Sequence, residues 1–371
     1  MAKAAGKQPA IGDLSSIRER IDAVDRQIQS LINERARYAQ QVGISKGEMA
    51  TAVDYYRPER EAEVLRAVLE RNEGPLRNEE MLRLFREIMS ACLAQQEPLK
   101  IGFLGPEGTF TQTAVYKHFG HSVRGLPFST IDEVFQEVEC GAADFGVVPI
   151  ENSTEGTVNH TLDMFITSPL KVGGEIELRI EQHLMGNNGG LEAIERVCAH
   201  EQSLAQCRGW LREFLPHVEL IGVSSNAAGA RRARDEKGTA AIGGEAAAEV
   251  YDLNIMVNNI EDRSDNSTRF LVVGRELLAP SGNDKTTILI STSGTVGGAG
   301  VLHALLQPFS KHNVSMSRIE SRPSQRKNWD YVFFIDVEGH AEESPLDEAL
   351  AELKENSSLF RIVGAYPKAI L

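Results

Sequence analysis

From Ile17 to Val42 apolar side chains recur in alternating steps of four and three, at Ile17, Ile21, Val24, Ile28, Leu31, Tyr38 and Val42. Arg35 takes the slot between Leu31 and Tyr38. A stripe of this period fits only a helix laid against other helices. Ser16 and Glu19 form a Ser-x-x-Glu capping box that would open it. Pro58 suits the first turn of a second helix, Glu59 to about Arg71, which Gly74-Pro75 stops. A third helix is expected from near Asn78, with Met81, Leu84, Phe85, Ile88, Met89, Cys92 and Leu93 on one face. Helices of such unequal length cannot cover their own apolar stripes, so the sequence predicts a dimeric bundle.

The pattern changes at Pro98. Lys100-Ile-Gly-Phe-Leu-Gly reads as a buried strand, followed by a Gly-Pro-Glu-Gly loop and a helix from about Thr111. Thr130 and Glu133 form a second capping box, Gly141 ends that helix, and Phe145 to Ile150 is another apolar strand. Strands alternating with helices predict an α/β layer on a mostly parallel sheet, running to the strand Arg269 to Val273. After a polar linker, Ala279 to Asp284, the order becomes strand, helix, strand, strand, helix, strand, which is the ferredoxin-like arrangement. The chain of 371 residues is too long for one core and divides into 1–97, 98–280 and 285–371.

Composition limits what these parts can do. With 39 basic and 53 acidic side chains the net charge is −14, which argues against nucleic-acid or anionic-membrane partners. There is no apolar run of membrane-spanning length, no signal-peptide pattern in Met1 to Gly12 and no Cys-x-x-Cys pair, so a cytoplasmic chain with reduced thiols is expected. His118 and His121 lack a third ligand, and no metal or cofactor is expected.

Arg35 and Lys46 fall on one helical face, while Glu61 shares its face with Val64, Leu65 and Val68, and Gln96 follows Met89 and Cys92. Cationic and amide groups turned into a bundle imply a polar pocket for an anion. Ile17-Arg18-Glu19-Arg20-Ile21, Asn33-Glu34-Arg35, Lys46 and Arg60-Glu61 resemble the all-helical chorismate mutases over about eighty residues. The resemblance implies that Arg18, Arg35 and Arg60 surround the carboxylates of chorismate, with Arg18 crossing from the other subunit. It also implies that Lys46 and Gln96 face the ether oxygen and Glu61 the ring hydroxyl. Arg57 and Cys92 stand where single-domain members carry an aspartate and a serine beside the substrate. The chemistry is a pericyclic rearrangement, so rate comes from holding a folded conformer and stabilising charge on the breaking ether.

In the middle part, Gly105-Pro-Glu-Gly-Thr-Phe-Thr111, Glu151-Asn-Ser-Thr-Glu-Gly-Thr157, His160-Thr-Leu-Asp163, Gln206-Cys207 and Asn266-Ser-Thr-Arg-Phe270 resemble prephenate dehydratases. Both glycine-containing loops precede helices, whose free N–H groups favour carboxylates. The resemblance makes Thr268 the principal catalytic residue, with Thr109, Glu151, Asn152, Ser153, Thr154 and Gln206 at the substrate and Arg269 and Phe270 shaping the pocket. Where the family has Ser-His-Pro-Gln, this chain reads Ala199-His-Glu-Gln202. Prephenate would lose carbon dioxide and its ring hydroxyl together.

Ile319-Glu-Ser-Arg-Pro323 followed by Trp329-Asp-Tyr-Val-Phe-Phe334 resembles the ACT domain, an amino-acid sensor. The implied effector is phenylalanine, bound by Ala299, Gly300, Val301, Leu302, Glu320, Ser321, Arg322 and Pro323 where two domains pair. The expected architecture is therefore multidomain: an all-α bundle, a two-lobed α/β domain and an α+β ferredoxin-like domain, assembled as a homodimer or higher even oligomer. A dehydratase alone, with the helical part as a dimerisation arm, is the alternative reading. A pure ligand-binding regulator would have no need of the catalytic set.

Overall fold

The computed structural model describes residues 14–46, 55–95, 97–187, 189–291, 300–324 and 331–370. Gln96 and Ala299, the side chains of Lys46 and Val301, and the Trp329-Asp330 half of the ACT-like motif lie outside the described residues.

The first part comprises α1 (Leu14–Lys46), α2 (Pro58–Arg71) and α3 (Asn78–Leu93). Helix α1 begins before Ser16, so the expected capping box sits inside it rather than starting it. At 33 residues it is about 50 Å long. The shorter helices cannot cover it. Ile21, Val24, Ile28, Leu31, Tyr38 and Val42 remain 49–63% exposed, while α2 buries Ala62, Leu65 and Val68 and α3 buries Leu82. Tyr56, just before α2, joins the core of the next part beside Phe119 and Phe145, which anchors the bundle to it.

That next part has two lobes. The first holds β1 (Lys100–Leu104), α4 (Phe110–Phe119), β2 (Arg124–Phe128), α5 (Ile131–Glu139), β3 (Phe145–Asn152), β4 (Gly156–Thr157), α6 (Asn159–Thr167) and β5 (Lys171–Arg179). Helix α5 starts as expected, with Thr130 Oγ1 accepting from the Glu133 N–H at 3.2 Å. The chain then crosses to the second lobe: β6 (His183–Gly186), β7 (Arg196–His200), α7 (Glu201–Gln206), α8 (Arg208–Phe214), β8 (Glu219–Val223), α9 (Asn226–Asp235), β9 (Thr239–Gly243), α10 (Glu245–Tyr251) and β10 (Asn254–Val257). It returns as β11 (Ser267–Gly274), inserted antiparallel between β3 and β5. Among the described strands of this part the parallel expectation therefore holds for β2-β1-β3 and β8-β7-β9 but not around β11, because a strand returning from the far lobe enters from the opposite end.

The last part contains β12 (Asp284–Ser291), α11 (Val301–Lys311), β13 (Met316–Pro323), β14 (Tyr331–Glu338), α12 (Leu346–Glu355) and β15 (Leu359–Pro367). Its sheet, β13-β14-β12-β15, continues into β5-β11-β3-β1-β2 as one ten-stranded sheet that also carries β4. The seam is the parallel pairing of Gly364 with Val172. A Cβ at Gly364 would lie 2.4 Å from the Val172 carbonyl oxygen, so the approach requires glycine. The expected polar linker is held tightly too: Ser281 and Asp284 are buried, and the Arg66 guanidinium of α2 donates to Ser281 Oγ at 2.7 Å.

Candidate active sites

A cleft of about 600 Å³ opens between the two lobes. Successive residues of a strand face opposite sides, so Thr268 and Phe270 line the cleft while Arg269 does not. Thr268 is 8% exposed and pairs across the sheet with Asn152. The Asn152 Nδ2 donates to Thr268 Oγ1 at 2.8 Å. With that oxygen already accepting, the threonine's own hydrogen is free to donate into the cleft. The Asn152 carboxamide is held from behind: its oxygen accepts from Thr154 Oγ1 at 2.7 Å and from the Thr154 and Glu155 N–H groups at 3.0 and 3.1 Å. Asn266, buried beneath the pair, accepts from Asn152 at 3.0 Å.

The opposite wall is also built of amides and hydroxyls. Gln182 Nε2 donates to Gln206 Oε1 at 3.1 Å and to Ser203 Oγ at 3.2 Å, and Asn226 Nδ2 donates to Ser203 Oγ at 2.8 Å. Among the described residues the side-chain oxygen of Gln182, Oε1, is buried without a hydrogen-bond partner. Among the described residues no lysine or arginine lines the cleft, and Glu155 is its only carboxylate. Its positive character comes instead from the N-termini of α4, at Thr109 to Thr111, and α9, at Ser225 and Asn226.

Several expectations need correction. The Glu151 to Thr157 loop is not a free anion cradle, because its amides at Thr154 and Glu155 already serve Asn152. Ser153 and Thr154 stand behind the wall rather than lining it, Ser153 Oγ accepting from the Ser267 N–H at 3.0 Å. Arg269 and Glu151 do not shape the pocket. They turn to the other face of the sheet, where Arg269 pairs with Asp336 at 3.0 Å and Glu175 at 3.5 Å, and Glu151 pairs with Arg318 at 3.4 Å. Asn266, Gln182, Ser203 and Asn226 are residues the motif reading did not single out. Asn266 alone had a signal, standing at the head of a recognised motif.

In the helical part, Glu61 lines a small cavity of about 50 Å³ with Tyr56, Arg86, Lys117, His118 and Ile370. Burial pushes its carboxyl up to about 7, against the lowering fields of Arg86 and Arg35. Arg35 is half-buried; Arg18 is exposed. Arg60 is exposed and pairs with Glu63 at 2.6 Å, while Arg57 pairs with Glu59 at 3.4 Å, so neither joins Glu61 within one chain. Cys92 is buried in α3. His118 and His121 have separate partners, Tyr56 Oη at 3.2 Å and Glu87 at 2.6 Å.

The residues expected to bind an effector divide by strand alternation. Glu320 and Arg322 turn toward the α/β part, Glu320 accepting from Thr157 Oγ1 at 2.7 Å and Arg322 donating twice to Asp163 at 2.8 and 2.7 Å. Ser321 and Pro323 lie on the exposed face of β13, an edge strand of the sheet. Gly300 has a positive φ of 94° before α11, and Leu302 is exposed.

Family models match along the chain: chorismate mutase type II over residues 17–97, prephenate dehydratase over 101–277 and the ACT domain over 296–355. The sequence is 50% identical over 363 residues to a bifunctional chorismate mutase/prephenate dehydratase of Pseudomonas aeruginosa, spanning 96% of this chain and 98% of that one. It is 44% identical to the protein so described in Aquifex aeolicus, over 97% and 99% of the two chains. A solved prephenate dehydratase from Arthrobacter aurescens, in complex with L-Phe, superposes with a TM-score of 0.67 at 35% identity, covering 72% of this chain and 90% of that one.

Proposed function

Because the chain belongs to the family of bifunctional chorismate mutase/prephenate dehydratases, we propose how its two sites divide the work. The helical part rearranges chorismate to prephenate. Arg35, Arg60 and a partner-crossing Arg18 hold the two carboxylates, Lys46 and Gln96 meet the ether oxygen, and Glu61 takes the ring hydroxyl. The half-exposed seam of α1 supports a homodimer, which would cover that seam and bring the missing arginine to Glu61.

The cleft converts prephenate to phenylpyruvate. Its carboxylates rest on the N-termini of α4 and α9. As the ring carboxylate leaves as carbon dioxide, its bonding pair flows into the ring and expels the hydroxyl, which takes the Thr268 proton and departs as water. Solvent returns a proton to the threonine oxygen. The observation that carries this reading is the 2.8 Å bond from Asn152 to Thr268, which leaves the threonine hydrogen as the donor aimed at the leaving oxygen.

The ACT part takes phenylalanine as a feedback inhibitor, and the solved relative with L-Phe supports that choice. Its signal reaches the cleft through Thr157, which lines the cleft and also contacts Glu320. A coupling of roughly 1–3 kcal/mol would suffice. Among the described residues no helix is long and apolar enough to cross a membrane, in keeping with a cytoplasmic biosynthetic enzyme.

Purified protein given chorismate should accumulate prephenate and then phenylpyruvate, with the second product suppressed by phenylalanine. Conversion of prephenate with chorismate untouched would leave a dehydratase carrying a dimerisation arm. No phenylalanine response would remove the regulatory assignment.

A further inference from the structure

Arg86 belongs to no recognised motif, yet it projects from α3 into the cavity that holds Glu61. It is a costly residue to place there. Burial lowers its pKa, opposed by Glu61 and Tyr56, and its Nε is buried without a hydrogen-bond partner among the described residues. Its Nη2 donates to the main-chain oxygen of Ile370, 284 residues along the chain, at 2.9 Å. The tail is itself held at the same cavity, where the Ala369 N–H donates to Glu175 Oε1 at 3.3 Å.

We propose that Arg86 is a positioning residue for the mutase: clamped by the carboxy-terminal main chain in the cavity it shares with Glu61, it favours the ionised form of that carboxylate. This rests on the assignment of Glu61 to the mutase site. Other charged and titratable groups reach Glu61 or its cavity from every packed element. Among the described residues they are Arg35 of α1, Tyr56 before α2, Lys117 and His118 of α4, Glu175 and Glu177 of β5, and Lys368 of the tail. His118 is held neutral near neutral pH, its pKa pushed down to about 3 by burial and by Arg86, so it supplies no competing positive charge. Arg86 is the largest of the lowering influences on Glu61, ahead of Arg35. The last part of the chain thereby touches the first reaction through one guanidinium.

The pH profile of mutase kcat/KM, which reports the free enzyme, tests this. The wild type should show an acid-side inflection from Glu61, raised above the ordinary carboxylate range by burial. In Arg86→Met it should move upward by roughly one unit, and Arg86→Lys should return most of that shift. Deleting Ala369, Ile370 and Leu371 should move it the same way by less, because the guanidinium stays but loses its clamp. Dehydratase turnover, unchanged throughout, reports that the variants are folded. An inflection unmoved in an active Arg86→Met enzyme overturns the proposal. So does a lysine variant no closer to wild type than the methionine one. Should Arg86→Met not fold, the tail deletion decides, and an unmoved inflection there is equally fatal. A Glu61→Ala enzyme with full mutase turnover is a different failure: it removes Glu61 from the mutase site and leaves the dehydratase reading intact.

Discussion

The interlobe cleft and the helical pocket meet one problem, a small dianion, with different materials. The cleft has no lysine or arginine on its described walls and relies on helix N-termini, amides and hydroxyls. The helical pocket sets Arg35 and Arg86 near Glu61, and the proposed dimer would add the cations of a second chain. Topology explains the contrast. In a lobed α/β fold the strand ends converge on the crevice, so the following helices begin there with their N–H groups aimed inward. In a bundle the helices lie side by side and their termini point out of the ends, leaving only side chains to face a ligand. On the reading proposed above, the cleft is finished within one chain and the helical pocket is completed by a second.

The sharpest way to break that comparison is Thr268→Ala. It should lower dehydratase turnover by roughly 10²–10⁴-fold while mutase turnover stays, since one proton donor is removed from one site. Single-substrate assays with chorismate and prephenate check both halves, and surviving phenylpyruvate production would remove Thr268 from its role. Lys46→Ala is the counterpart, with a loss of about 3–4 kcal/mol of transition-state stabilisation in the mutase and none in the dehydratase. A purified variant with near-wild-type mutase rates would discard that assignment. Ile28→Glu places a charge on the exposed seam of α1 without touching either site. Mutase activity should fall by more than about tenfold as subunits part, with dehydratase activity within about twofold. Equal rates at matched concentrations would show that the seam is not a mutase interface. Finally, raising ionic strength from about 0.05 to about 0.5 M should weaken mutase kcat/KM by roughly threefold and the dehydratase less, because exposed arginines are screened more than desolvated dipoles. Identical salt slopes would erase the distinction.

How far these sites could be read from sequence depends on how local their determinants are. Thr268, Asn152 and Gln206 sit in compact motifs whose chemistry is recognisable. Arg269 shares a motif with Thr268 but not its surroundings, because neighbours in a strand face opposite ways and only the sheet's setting decides which face meets the cleft. Its true partners, Asp336 and Glu175, lie far along the chain. Gln182, Ser203 and Asn226 carry no motif; they meet only when the second lobe folds back on the crossover segment. Arg86 looks like a surface residue of an amphipathic helix until α4 and the tail close over it. The stripe of α1 was fully legible, and its meaning, an unfinished surface, follows from the shortness of α2 and α3.

The Gly364 seam has a consequence for how such a chain could be divided. Cutting it after the second part would strip β15 from β5, baring the edge of that strand around Val172, where the side chains are mostly buried. A raw edge of that kind invites stacking with its own copies. Genetic recombination that separated catalyst from sensor would thus produce a fragment prone to aggregate, and a bulkier side chain at the seam would work toward the same end without any cut.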